Sequence, residues 1–114
     1  MTSKARDKRD RSERREDALR PSRYLGYDRD TLGLHLLGCE AYRVAESQLR
    51  RAVWLNPFEP KFKEHLAWCL YRQGRYSEAR EWIKKALEQD PENVDAKRIL
   101  SLIEKSLDGS EEKK

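Results

Sequence analysis

Three features of the sequence predict an all-α fold built from stacked helical hairpins. The chain repeats itself at a spacing of 34 residues, its apolar side chains fall at helical spacing, and Gly or Pro interrupts the apolar stripes where helices must end. Shifted by 34 positions, Leu32 falls on Leu66 and then Leu100, Tyr42 on Tyr76, Ala45 on Ala79, Leu49 on Ile83, Ala52 on Ala86 and Pro57 on Pro91. Six apolar or proline matches in one register set one repeat at residues 26–59, a second at 60–93 and a partial third from Val94.

Each element follows from local chemistry. Residues 1–22 hold one strongly apolar side chain, Leu19, besides Met1. Such a segment cannot bury enough surface to offset its ordering entropy, so it reads as a disordered charged tail closed off by Pro21. In the first repeat, Leu32 and Leu36 form one stripe, and Tyr42, Ala45, Leu49, Ala52 and Val53 form the next, which ends at Pro57. In the second, Phe62, Leu66, Cys69 and Leu70 make a stripe that stops near Gly74, a residue able to take positive φ after a helix end. Tyr76, Ala79, Ile83, Ala86 and Leu87 follow, up to Pro91, which lacks the N–H a helix needs. Ala96, Ile99, Leu100, Ile103 and Leu107 give a fifth helix, a capping helix over 94–107. Its apolar stripe is positioned to cover the second repeat while Lys97, Glu104 and Lys105 face water. The polar segment 108–114 is expected to fray. The folded domain thus spans 23–107.

Bulk numbers narrow the function classes. A chain of 114 residues has room for one domain and its tails. Its charged content of 40% and mean hydropathy of −1.06 suit exposed helix surface. The net charge of +4 sits in the first segment: residues 1–23 hold nine Lys or Arg and five acids. A segment of alternating sign is a poorer phosphate binder than a pure basic block, which argues against nucleic acid as the main partner. No apolar run approaches the ~20 residues of a membrane span, and the N-terminus lacks the apolar core of a secretory signal. A cytoplasmic protein without membrane partners is expected. Cys39 and Cys69 form no CxxC pair and read as buried thiols.

Several chemistries are set aside. His35 and Cys39 share one helix face at i, i+4, as do His65 and Cys69, and together they would supply four zinc ligands. The pairs sit four positions out of register between the repeats, and Cys69 belongs to the core stripe, so ordinary packing is the better reading and no metal is expected. No nucleophile–base arrangement and no GxxxxGK loop is present. Neither an enzyme nor a cofactor is expected.

The pattern resembles the tetratricopeptide repeat family. The residues that carry the resemblance are Leu66, Ala67, Tyr71, Gly74, Tyr76, Ala79, Ala86 and Pro91 in the second unit, with Tyr71 one position past the usual aromatic site. In the first unit they are Leu32, Gly33, Tyr42, Ala45, Ala52 and Pro57. The first unit departs at its turn, where Glu40 stands for the usual Gly, and both units lack an early Trp. The resemblance implies an α-α superhelix of tetratricopeptide-type hairpins with five helices. Small Ala residues at matched sites suit it, because large ones would force helices beyond the usual 8–10 Å separation.

In that family the first helices of successive repeats line a concave groove. Carried over, this places Tyr27, Asp30, Leu34 and Leu37 from the first unit in the groove, Lys61, Glu64, Trp68, Tyr71 and Arg72 from the second, and Arg98 and Leu102 from the capping helix. Trp68, Tyr71 and Arg72 are the residue types enriched in hot spots, although Trp68 and Tyr71 also suit packing between adjacent helices. The carboxylate clamp known in some members is missing, since Asp30, Leu34 and His65 stand at its positions. Trp54 and Phe58 flank Pro57 and read as a corner packed against the next repeat, or as an exposed patch for self-association. Trp82 reads as packing, or as partly exposed on the convex side. The expected function is a protein–protein interaction module, a scaffold or co-chaperone-like adaptor that binds a peptide or helix in the groove. Nucleic-acid association through the first segment and self-assembly into a homo-oligomer are the alternatives.

Overall fold

The computed structural model describes residues 23–112, with the side chains of 110–112 left aside. Five α-helices follow in order: α1 (Tyr27–Gly38), α2 (Tyr42–Leu55), α3 (Pro60–Arg72), α4 (Tyr76–Gln89) and α5 (Val94–Glu112). No strand occurs among the described residues. Helices α1/α2 and α3/α4 pack as hairpins, α2 packs on α3, and α4 packs on α5. The odd-numbered helices α1, α3 and α5 also touch in sequence along one face. No helix among the described residues is long and apolar enough to cross a membrane.

Small side chains make the hairpins possible. Ala45, Ala52, Ala67, Ala79, Ala86 and Ala96 are all buried, interleaved with Leu49, Phe62, Leu66, Leu70, Ile83 and Ile103. Gly33 occupies the position of Ala67 in the first repeat, and a Cβ there would meet the Leu49 side chain at 2.7 Å. At this position α1 and α2 have no room for the methyl that Ala67 carries in repeat two. The fifth helix continues past Leu107, where its end was expected, as far as Glu112. No proline interrupts it, Leu107 packs against the core, and a single Gly109 costs a helix only ~1 kcal/mol. The expected disordered segment 1–22 lies outside the described residues.

The α1–α2 and α3–α4 turns share one geometry despite their different residues. Gly74 has φ 80° and Glu40 has φ 62°. In each turn the third residue past the helix end donates back across a span of six residues inclusive, Ala41 N–H to Leu36 O at 2.9 Å and Arg75 N–H to Leu70 O at 3.0 Å. The fold thus imposes the left-handed conformation on Glu40, which lacks the freedom of glycine there.

Two expectations are overturned in the first repeat. Leu32 is 42% exposed, whereas its repeat partner Leu66 is fully buried. No helix precedes α1 among the described residues, so none of these residues covers the face that α2 covers on α3. Cys39 is exposed for the same reason, with its sulfur 3.9 Å from His35 Nε2. Cys69 is buried and its thiol donates to the Tyr42 carbonyl at 3.3 Å. Burial pushes the Cys69 thiol above its ordinary value.

A charged cluster ties α2 to the second repeat. Glu46 accepts from Arg50 Nε at 2.7 Å, Arg75 Nη1 at 2.6 Å and Gln73 Nε2 at 3.0 Å. Partial burial opposes its charge, but the bonds from Arg50 and Gln73 and the charges of Arg50 and Arg75 outweigh it, so its carboxyl ionises below the ordinary value of 4.5. That stabilisation is present above pH 4.5 and is lost as the pH falls through the lower folded value.

Three outcomes follow for urea unfolding monitored by circular dichroism. Leu66→Ala costs about 3 kcal/mol, and Leu32→Ala costs under ~1 kcal/mol, although the two occupy one repeat position. Glu40→Gly stabilises by about 1 kcal/mol, and a loss instead would contradict the strained turn. Glu46→Gln costs about 1–2 kcal/mol at neutral pH, and its gap to the unmodified chain closes as the pH drops below 4.5.

Candidate partner-binding groove

The face along which α1, α3 and α5 touch has a polar floor. Asp30 of α1 is buried and lies 2.7 Å from His65 Nδ1 of α3. That distance suits an imidazole N–H donating to the carboxylate. The other ring nitrogen lies 3.7 Å from the buried Glu64 carboxylate. Glu64 in turn accepts from Asn93 Nδ2 at 2.6 Å, while Asn93 Oδ1 accepts the Ala96 N–H at 3.2 Å and so caps α5. One chain of polar contacts therefore runs from α1 through α3 to the start of α5.

Above this floor lies a cleft of ≈ 270 Å³ between α3 and α5. Glu64, His65 and Trp68 line one wall, and Asp95, Arg98, Ile99 and Leu102 line the other. Trp68 is half-buried and stacks on Tyr71, with ring centroids 5.3 Å apart at an angle of 27°. Tyr71 packs in turn on Tyr76 at 5.5 Å and on the core. Arg72 is exposed beside this stack, its guanidinium 6.0 Å from the Trp68 ring centre and bonded to the Tyr42 hydroxyl at 3.0 Å. That hydroxyl bond raises the already high pKa of Arg72 further.

The residues expected to line the groove divide into three sets. Glu64, Trp68, Arg98 and Leu102 come together in the cleft, with Tyr71 and Arg72 beside Trp68. Asp30 and Glu64 serve the floor: both are buried and already paired, because a carboxylate at that depth needs a donor. Leu37 packs partly on the core, and Leu34 and Lys61 are exposed. Tyr27 is drawn toward the α2–α3 turn, edge-on to Phe62 at 5.0 Å and donating to Glu59 at 3.3 Å. Desolvation and the Glu59 charge push its phenol above the ordinary value.

Sequence reasoning missed His65, Asp95 and Ile99 as cleft residues. A repeat-by-repeat carry-over aligns positions on one helix and does not say which neighbours close a cleft between two helices. The register did hold one signal, since His65 sits next to Glu64 and one turn before Cys69 on α3. The two His–Cys pairs serve separate ends: His65 is held by Asp30 and Cys69 by the Tyr42 carbonyl, while the His35 ring and the Cys39 sulfur lie against each other.

A second, wider cleft of ≈ 1040 Å³ lies over the first turn of α2 and includes Tyr42, Glu46, Arg50, Gln73 and Arg75 in its lining. Within it Glu46, Arg50 and Arg75 bond one another.

No curated protein matches the chain. Residues 31–94 match the family described as Tetratricopeptide repeat, more than half of the sequence and most of four helices. Repeats of this kind are generally non-catalytic scaffolding and bind other proteins. The helical pairing, the repeated turn geometry and this match converge, and the chain belongs to the tetratricopeptide repeat family.

Proposed function

We propose that the chain is a scaffold or adaptor that holds a peptide or helix of a partner protein along the concave face, with the α3–α5 cleft as its anchor point. The observation that carries this reading is the pairing of a half-buried Trp68 with Leu102 and Ile99 across the cleft, with Arg98 at its edge. A concave, largely apolar slot with a few polar groups suits one or two apolar side chains of a partner segment. Trp68 would serve as the rigid anchor, since its ring is already stacked and loses little freedom on binding.

The floor chemistry selects among ligands. Asp30, Glu64 and Asp95 make the slot a poor place for a terminal carboxylate, which agrees with the missing carboxylate clamp. The preferred segment is apolar, with neutral or basic flanks. Tyr71 belongs to the packing behind the anchor and is a worse test position than Arg98, whose side chain is exposed at 71%.

The test is affinity capture from lysate in the presence of nuclease, read by mass spectrometry. The intact chain, a Trp68→Ala/Arg98→Glu form and a form lacking residues 1–22 are compared. The expected outcome is a partner kept by the truncated form and lost, by about tenfold or more, in the groove form with unchanged helicity. A partner that persists in the groove form removes the groove from the reading. A partner lost only with residues 1–22 moves the function to that segment.

A further inference from the structure

The expected corner packing of Trp54 and Phe58 is not found. Trp54, in the last turn of α2, is 44% exposed, and Phe58, in the α2–α3 turn, is 47% exposed. Each ring carries a guanidinium on its face, Arg51 over Trp54 and Arg23 over Phe58, both at 4.7 Å. Leu25 is exposed in the segment that leads into α1. Gly26 sits against the Ala52 backbone and the Phe62 ring, which places that segment and the end of α2 at the same end of the first hairpin.

The second repeat supplies an internal control. At the positions 34 residues on, Trp54 corresponds to Glu88, Phe58 to Glu92 and Arg51 to Lys85. Both α2 and α4 end in the same backbone geometry, Asn56 at φ −141°, ψ 81° and Asp90 at φ −139°, ψ 82°. The hairpin thus folds equally well with glutamates there. The matched backbone of repeat two does not call for exposed rings at this end of repeat one, and an exposed apolar group of Leu25, Trp54 and Phe58 rimmed by cations is the kind of patch that marks an interaction site.

We propose that this end of the first hairpin, built from Arg23, Leu25, Arg51, Trp54 and Phe58, is a second docking surface, and that its occupant is an acidic segment of another protein carrying apolar side chains. Charge complementarity argues for the acid. Among the described residues, neither Arg23 nor Arg51 meets a carboxylate at ion-pair distance, and Lys61 adds a third exposed cation near the turn. The nearby acids are Asp28 and Glu59, and Glu59 already accepts from Tyr27. The apolar component follows from the rings. A carboxylate meets each guanidinium at its edge, where the N–H fork points, while an apolar side chain meets the uncovered part of the ring.

Other occupants fit less well. A nucleic-acid base would have to displace a guanidinium to stack on either ring. Residues 1–22, with eight basic and five acidic side chains, carry the same sign as the patch. The surface lies apart from the α3–α5 cleft in its residues, so the two stand or fall separately.

The test uses a random-peptide display library selected on the full chain, with counter-selection on the Trp54→Glu/Phe58→Glu form. That form keeps its helicity, because repeat two already has glutamate at both positions. Selected peptides are expected to combine Asp or Glu with Phe, Leu or Trp. A synthetic peptide of the selected sequence is expected to bind about tenfold more weakly to the double variant, and more weakly to Arg51→Glu, which leaves both rings in place. Binding to the Trp68→Ala/Arg98→Glu form is expected to be unchanged. The proposal is overturned if no acidic-apolar class is enriched, or if its binding ignores the ring and Arg51 substitutions. It is equally overturned if a single-stranded oligonucleotide or vesicles containing phosphatidylserine bind the chain and lose that binding in the same variants, with no peptide selected.

Discussion

Close approach between helices is the constraint on which everything else in this molecule rests. Gly33 and Ala67 leave no room for a larger side chain where α1 meets α2 and α3 meets α4, and a single added carbon at Gly33 would overlap Leu49. Ala45, Ala52, Ala79 and Ala86 do the same from the second helix of each pair. With the hairpins drawn this tight, contacts between backbones and small side chains add to the core of Leu49, Phe62, Leu66, Leu70, Ile83 and Ile103. The same tightness brings α1, α3 and α5 into one row, and the concave face follows from that row.

The core is unevenly distributed along the array. Helix α3 is covered on two sides and buries Phe62, Leu66, Ala67, Cys69 and Leu70. Helix α1 buries only Asp30 and Gly33. The difference is positional, because a repeat array stabilises each helix through its neighbours and the first helix has only one side served. At the other end α5 places Ala96 and Ile103 inward and turns Glu104 and Lys105 to water. Among the described residues, the end at α5 is closed by its own sequence, and the end at α1 keeps an exposed apolar Leu32. The buried Asp30 is held in that thin first layer by His65, which makes a polar bridge part of what fastens α1 to α3.

The fold was legible because period and punctuation lie in the sequence itself. Pro57 and Pro91 end α2 and α4 within two residues, and Tyr42 and Tyr76 open them. The turn at Glu40 shows where reading by residue type falls short: the substitution suggested a changed turn, yet the hydrogen bonds from Ala41 and Arg75 are the same. Tertiary packing sets the backbone there and local preference yields. Burial at the ends of the array was also out of reach, because Leu32 and Leu66 are identical in type and register and differ only in whether a helix lies over them. The groove was legible by helix and illegible by depth. A list of positions on α1, α3 and α5 could not tell that Asp30 and Glu64 would sink into the floor, or that His65 and Ile99 would rise into a wall.

The two repeats share a backbone and differ in surface, and that difference separates what the fold needs from what a partner needs. At Ala45 and Ala79 and at Ala52 and Ala86 the residues agree and the side chains are buried. Where they diverge at matched exposed positions, as Trp54 and Phe58 against Glu88 and Glu92, stability places little demand on the choice. The electrostatics then split the molecule into two kinds of surface. The concave floor holds the buried carboxylates Asp30 and Glu64, each bonded to a neighbour, and Asp95 and Arg98 face each other on the wall above, so on the proposed reading a segment lying there is favoured when apolar with neutral or basic flanks. The open end of the first hairpin presents guanidinium over aromatic ring and favours acid. A single ligand segment cannot satisfy both with the same chemistry. On the proposed reading, two such surfaces would take two different segments, each selected by its own charge complementarity.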